Sequence, residues 1–433
     1  MKRKGTRILA FLLVAMMVLT ACGGGNNQKN NTPGDNSTAG NDSTPSDTTE
    51  PTAPSNGGEP IKDLVTWETS GNREMENFFM IGTEQAKDLN VLCNAISPLL
   101  EVDPYGKLNP AVATDWNTPD GGVTWDFVLR DDVTWVDVNG EYKADCTAQD
   151  WVTAMEWILN YHKNASQNTS MLCAMVVGAQ DYYDYTKGLD EATALALTTE
   201  NNPEFDKVGI KSADATHLTY TCAQPCPYFA TLCTSAALYP VSQAEIDEKG
   251  VENMLGMTNE NMWYSGPYTI TEYIMNNTKT LTKNESYWDK DASLFDTVTI
   301  TMIEDVNMDD TLYETEEVHN TELSEANSKI IMDNPSDPRN EYLTETRLKK
   351  YSYQYQLNFD RRNADGTPDT NWNTAVANEN FRKSLYYGIN LKTTWARTNR
   401  VNPLDLENLC FSMKGLLYFT DGRDYTDAVI EKL

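Results

Sequence analysis

The side chains able to react or to ligate a metal are eight cysteines, three histidines and 64 carboxylates in a chain of 433 residues. Cys22 stands alone near the start. The other seven, Cys93, Cys146, Cys173, Cys222, Cys226, Cys233 and Cys410, are an odd number at irregular spacing, so they do not spell out a disulfide framework. Cys222, Cys226 and Cys233 come nearest to a cluster. Pro225 and Pro227 interrupt them and no C-x-x-C pair appears, which argues against zinc. They read as small buried apolar residues. His162, His217 and His319 are far apart, and His162 continues the apolar stripe of a helix. Asp305, Asn307, Asp309 and Glu316 repeat the charged-ligand spacing of a calcium loop, with Leu312 in its apolar slot. Asp310, however, stands where that loop needs glycine, and Asp296 to Ile303 alternates like a strand where a helix should precede it. The same residues suit the acidic first turn of a short helix, where carboxylates meet the positive end of the dipole. No metal is expected.

Catalytic constellations are also missing. The sequence holds no G-x-S-x-G, no H-E-x-x-H and no Cys/His pair set in a motif. Carboxylate pairs are inevitable among 64 and carry no signal. The expectation is a protein that is not an enzyme and uses no cofactor.

Composition narrows the field further. The chain has 34 Lys and Arg against 64 Asp and Glu, a net charge of -30. A nucleic-acid binder needs a basic footprint to displace counterions from phosphates, so nucleic acid is excluded as a partner. Attachment to anionic lipid by surface charge is excluded likewise. Ten Trp and 22 Tyr exceed what a disordered chain carries. Residues 1–22 hold Lys2, Arg3, Lys4 and Arg7 and no acid, followed by the apolar run Ile8 to Leu19. Twelve residues are too short to cross ~30 Å of hydrocarbon as a helix, so the segment reads as a signal peptide. Residues 23–60 contain no Val, Ile, Leu, Met, Phe, Trp, Tyr or Cys, and Gly, Asn, Thr, Ser and Pro fill 29 of the 38 positions. With nothing to bury, that stretch cannot offset the entropy of ordering and is expected to be a flexible tether.

From Ile61 onward the pattern becomes that of a folded body. Val123 to Leu129 alternates between glycine and charged boundaries and reads as a strand. Thr147 and Asp150 have capping-box spacing, and Trp151, Ala154, Met155, Ile158, Leu159 and His162 then recur at helical intervals. His217 to Cys222, Tyr268 to Ile274 and Thr297 to Ile303 read as strands. Tyr351 to Phe359 alternates most cleanly, with Tyr351, Tyr353, Tyr355, Leu357 and Phe359 on one face. A helix is expected near Glu379 to Asn390. Strands and helices mix without a βαβ rhythm or an internal repeat, so the fold class is mixed α/β (α+β).

Leu19-Thr20-Ala21-Cys22 followed by glycines resembles the lipobox of bacterial lipoproteins. The resemblance implies lipid on Cys22, a new N-terminus there and an anchor at the extracellular face of the cell membrane. Five further stretches, in order, resemble the oligopeptide/dipeptide-binding family of ABC-importer solute-binding proteins, family 5. They are Leu99 to Trp135, Ala148 to Val152, Gln224 to Phe229 with Tyr239-Pro240-Val241, Ser265-Gly266-Pro267-Tyr268 with Lys283 to Trp288, and Phe381 to Asn390.

The resemblance implies a two-lobed periplasmic-binding-protein-like fold. Lobe I would comprise residues 61–95 and 221–301, an extra subdomain residues 96–220, and lobe II residues 302–433. It implies a monomer that captures an oligopeptide in the interlobe cleft and delivers it to the permease subunits of an ABC importer. Relatives with the same signatures bind nickel chelates or oligosaccharides, and a peptide sensor without transport is a further alternative. Counting back from the Leu99 motif places a backbone-contacting segment at Thr83, Glu84, Gln85 and Ala86. Tyr353, Gln354 and Tyr355 are the second candidate, from lobe II. Members of the family run substantially past the position matching Leu433. Lobe II is therefore expected to be incomplete, and the acidic residue that pairs with the peptide's amino terminus falls on no residue here.

Overall fold

The computed structural model describes residues 61–69, 74–102, 107–164, 168–293, 295–343, 355–396, 407, 410 and 423–432. The signal segment, Cys22, the 23–60 stretch, Tyr353 and Gln354 lie outside the described residues. Among the described residues no helix is long and apolar enough to cross a membrane.

The strands, in chain order, are β1 (Asp63–Thr69), β2 (Leu100–Val102), β3 (Leu108–Pro110), β4 (Ala113–Asn117), β5 (Thr124–Leu129), β6 (Thr134–Val136), β7 (Tyr142–Asp145), β8 (Ile210–Asp214), β9 (His217–Thr221), β10 (Tyr268–Ile274), β11 (Thr278–Lys283) and β12 (Thr297–Ile303). They form two four-stranded sheets, ordered β1-β12-β11-β10 and β4-β5-β9-β8, and two small ribbons, β2-β3 and β6-β7. With the intervening helices, the class is mixed α/β.

The first sheet is closed by a parallel pairing. Asp63 to Thr69 run alongside Thr297 to Ile303 in unbroken register. Both segments are rich in Thr, Val and Ile, the residues that suit a pleated surface. Leu64, Val298, Leu281 and Ile270 lie in one row across the four strands, and all are buried. The second sheet is antiparallel. Trp125 pairs with Tyr220 and Phe127 with Leu218, so the inward face is mostly aromatic.

Helix α1 is Ala86–Leu92 and helix α2 is Ala148–Leu159. At the start of α2 the Thr147 N–H donates to Asp150 Oδ2 at 3.0 Å, the capping contact that the spacing predicts. The same oxygen accepts from Trp135 Nε1 at 3.0 Å. The helix stops at Leu159, because Asn160 turns extended (φ -81°, ψ 112°). His162 is therefore not on the helical stripe. It sits in the following turn, its Nε2 3.2 Å from the Leu189 carbonyl oxygen.

Several motif residues hold separate backbone segments together beside the first sheet. The Ser265 and Gly266 N–H groups both donate to the Ala95 carbonyl, at 3.0 and 2.8 Å. A Cβ on Gly266 would fall 2.6 Å from the Ala95 carbonyl carbon, so only glycine fits. Asn284 Nδ2 donates to the Gly266 carbonyl at 2.9 Å. The Arg130 guanidinium lies 3.5 Å from the centroid of the Trp288 ring and donates through Nε to the Ala111 carbonyl at 3.0 Å.

The strand expected over Tyr351 to Phe359 is not borne out in its described part. Residues 355–358 have no regular structure, and Tyr355 and Phe359 are 79% and 57% exposed. Alternation specifies a strand only where a neighbour takes up its backbone groups, and among the described residues none pairs with it. The helix expected near Glu379 is present as Glu379–Gly388, with Phe381 and Leu385 half-buried.

Glu245, in the helix Gln243–Lys249, is buried and accepts from the Trp263 N–H at 2.8 Å. Burial pushes its carboxyl up to about 8. A raised carboxyl pKa favours the protonated fold, so this contribution is whole below the ordinary value of 4.5 and is lost as pH rises through about 8. Glu245→Gln keeps the acceptor and cannot ionise. Its unfolding free energy should exceed that of the parent by an amount that grows between pH 4.5 and about 8, to the order of a few kcal/mol, and its melting temperature should rise relative to the parent over the same range. Parallel melting curves across the pH range check this; a difference independent of pH contradicts it.

Candidate ligand-binding ledge

The segment Thr83-Glu84-Gln85-Ala86 joins the short helix Met80–Gly82 to α1. Met80 and Ile81 are buried and fix its near end. Thr83 is extended (φ -135°, ψ 150°) and Gln85 likewise (φ -75°, ψ 122°). Glu84, Gln85 and Ala86 are exposed, whereas Thr83 is 5% exposed. The sequence places a hydroxyl there because the segment is held from beneath. Thr83 Oγ1 donates to Asp88 Oδ2 at 2.6 Å and accepts from the Gln85 N–H at 3.0 Å. The other Asp88 oxygen accepts from the Glu76 N–H at 2.8 Å. Asn168 Nδ2 donates to the Thr83 carbonyl at 2.9 Å. The result is a short extended ledge whose outer residues face solvent.

Glu74 ties the preceding loop to the first sheet: its Oε1 accepts from the Tyr273 hydroxyl at 2.5 Å and its Oε2 from the Asn276 N–H at 2.8 Å. β1 is an edge strand, and its open side is covered at one point. The Val65 N–H donates to His319 Nδ1 at 2.8 Å, and the His319 N–H donates to the Val65 carbonyl at 2.8 Å. Trp67 Nε1 donates to Thr321 Oγ1 at 2.8 Å. The chain after β12 thus returns to lie against β1. Asp88, Glu74 and His319 were not singled out by sequence reasoning. The five-residue spacing of Thr83 and Asp88 at a helix start is the one local signal that points to any of them.

Tyr355 is apart from the ledge in sequence and is not on a strand; its neighbours Tyr353 and Gln354 are outside the described residues. The calcium-like set does not assemble. Asp305 folds back on its own turn, accepting from the Asn307 N–H at 3.0 Å and Asn307 Nδ2 at 2.8 Å. Asp309 is fully buried at the first turn of the helix Asp309–Glu314 and accepts from Asn327 Nδ2 at 2.6 Å and from the Ser324 N–H. Glu316 lies beyond that helix in a left-handed turn, φ 62°. Among the described residues no group of three or more His, Cys, Asp or Glu is arranged to hold a metal.

The description of the bacterial extracellular solute-binding proteins, family 5 (middle region), matches residues 107–397. The chain belongs to this family. It is 25% identical over 371 residues to the oligopeptide-binding protein AliA of Streptococcus pneumoniae, covering 83% of this chain and 52% of AliA. Its fold is similar to that of Listeria monocytogenes OppA bound to peptide, with a TM-score of 0.61, 21% identity, and 85% of this chain and 64% of that one covered. An oligopeptide ABC transporter substrate-binding domain from Bacillus anthracis gives a TM-score of 0.62 at 20% identity, with 85% and 62% covered. The chain spans about half the length, or less, of the curated relatives it matches. Membership of this family is membership of a non-enzymatic class of extracellular binding proteins.

Two outcomes follow from the ledge and from the scattered acids. Thr83→Val keeps the shape and removes the hydroxyl from buried Asp88, so it should cost about 2 kcal/mol in denaturant unfolding. A loss below the error of the measurement would show that Thr83 does not anchor the ledge. Millimolar calcium should leave the melting temperature unchanged; a rise with calcium and none with magnesium would contradict the reading of Asp309.

Proposed function

We propose that this chain is the ligand-capturing part of a peptide importer, lipid-tethered through Cys22 at the extracellular face of the membrane and handing its ligand to the permease subunits of an ABC importer. The observation that carries the proposal is the ledge. A peptide of any sequence is best held through its backbone, which all peptides share. An exposed, extended segment offers N–H and C=O groups for such pairing. Rigid clamping of Thr83 by Asp88 and Asn168 means that little order has to be gained on binding. The exposed side chains of Glu84 and Gln85 leave room for varied ligand side chains. The names of the relatives, oligopeptide-binding among them, support the same class of ligand.

The two-lobed arrangement belongs to this proposal. Lobe I is made of two separated segments, 61–95 and 221–301, with 96–220 as its extra subdomain and 302–433 contributing to lobe II. The pairing of β1 with β12 supports a first lobe built from distant parts of the chain. Ligand then closes the lobes about the hinge, and the closed form is what the permease receives.

A pool of short peptides should stabilise the protein, by about 2.7 kcal/mol at 100 times Kd. Nickel chelates and oligosaccharides serve as the competing pools; a shift with one of these and none with peptides overturns the peptide reading. Ala86→Pro sharpens the test. Ala86 is the first residue of α1, where proline is tolerated, and the extended Gln85 before it suits proline. The variant removes the Ala86 N–H. Peptide affinity should fall about tenfold with the unliganded melting temperature unchanged. Undiminished affinity would remove the ledge from the site.

A further inference from the structure

Cys222 and Cys226 bracket a loop, Ala223-Gln224-Pro225, at the end of β9. Their backbones are anchored on consecutive carbonyls of another segment: the Cys222 N–H donates to Val123 at 2.7 Å and the Cys226 N–H to Gly122 at 2.8 Å. The loop therefore returns both cysteines to one short segment, with the Cys226 thiol close enough to act electrostatically on that of Cys222. Gly122 makes the approach possible, since a Cβ there would fall 2.8 Å from the Cys226 carbonyl carbon. Both residues are buried, at 2% and 5% exposure. Cys226 nevertheless borders an open cavity of about 160 Å³, together with Met175, Gln224 and Tyr228. The third cysteine nearby, Cys233, is sealed at 0% exposure, and its S–H is directed to the Phe229 carbonyl at 3.6 Å.

We infer that Cys222 and Cys226 are a redox pair that closes into a disulfide across this loop, leaving Cys233 as a thiol. The family is extracellular, where oxidising conditions preserve such bonds. The step is thiol–disulfide exchange with a small disulfide such as oxidised glutathione. The Cys226 sulfur attacks the oxidant and releases one reduced glutathione. Cys222 then displaces the second. Two protein thiols become one S–S bond, and both protons and both electrons leave on glutathione. Burial, with Cys226 alongside, pushes the Cys222 thiol up to about 11, so its closing step is slow at neutral pH and faster in alkali.

Oxidised glutathione is added to the folded full chain, which is then quenched in acid, unfolded, alkylated and digested with trypsin. Residues 212–249 contain no internal Lys or Arg, so one fragment carries Cys222, Cys226 and Cys233 together. The expected fragment has lost two hydrogens and carries one alkyl group, on Cys233. Cys233→Ser should form the same bond and take no alkyl group. Three alkyl groups on the parent fragment, a retained glutathione adduct, or a bond that includes Cys233 would each overturn the inference. Cys226→Ser gives a further check, because a cross-link surviving in it would assign the bond to Cys222 and Cys233.

Discussion

Parallel pairing of β1 with β12 is the constraint on which the other elements depend. Parallel strands need a crossover, and here the crossover is everything between Thr69 and Thr297, including the whole second sheet. The Thr297 hydroxyl reaches Asp63 Oδ1 at 2.6 Å, a contact across 234 positions of sequence. Closing so long a loop has an entropic cost that grows only slowly with length, and a hydrophobic row through Leu64, Val298, Leu281 and Ile270 offsets it. The buried Lys279 ammonium, 3.2 Å from Glu68 Oε2, ties β11 to β1 across β12. Once that sheet is closed, the loop after β1 has a fixed floor. The ledge at Thr83 to Ala86 is held by Asp88 and by Asn168 from the inserted region, while Glu74 ties the stretch before it to the first sheet.

The motifs that carry the family resemblance do their physical work in this scaffold. Gly266 lets one backbone pass against another, Asn284 takes up the Gly266 carbonyl, and Arg130 stacks on Trp288. None of these contacts needs a ligand. This explains how a chain can be assigned to the family on short collinear stretches while those stretches say little about what is bound.

Much of the architecture was legible because it is written in local pattern. β10 and β12 have the bounds that alternation gives, and Thr147 caps α2 through Asp150 as the spacing requires. The misreadings share a cause: the deciding partner lies far away in sequence. His162 has helical spacing, but the helix ends when Asn160 turns extended and donates through its side chain to the Ala194 carbonyl at 2.9 Å. Tyr355 and Phe359 alternate with polar residues, yet a strand requires a neighbouring strand. Asp309, by contrast, stands in the acidic first turn of a short helix as its local pattern suggests, with Ser324 and Asn327 donating to its carboxylate. For the candidate site, the segment 83–86 was found by counting from a motif, whereas its anchors Asp88 and Asn168 became visible only in three dimensions.

The central claim is that ligand backbone pairs with the ledge. Amide hydrogen exchange, followed residue by residue with and without a saturating pool of short peptides, tests it most directly. The account predicts new protection at Glu84 and Ala86, with the exchange of the buried second sheet unchanged. Peptide binding that leaves those two amides as fast as before would contradict it.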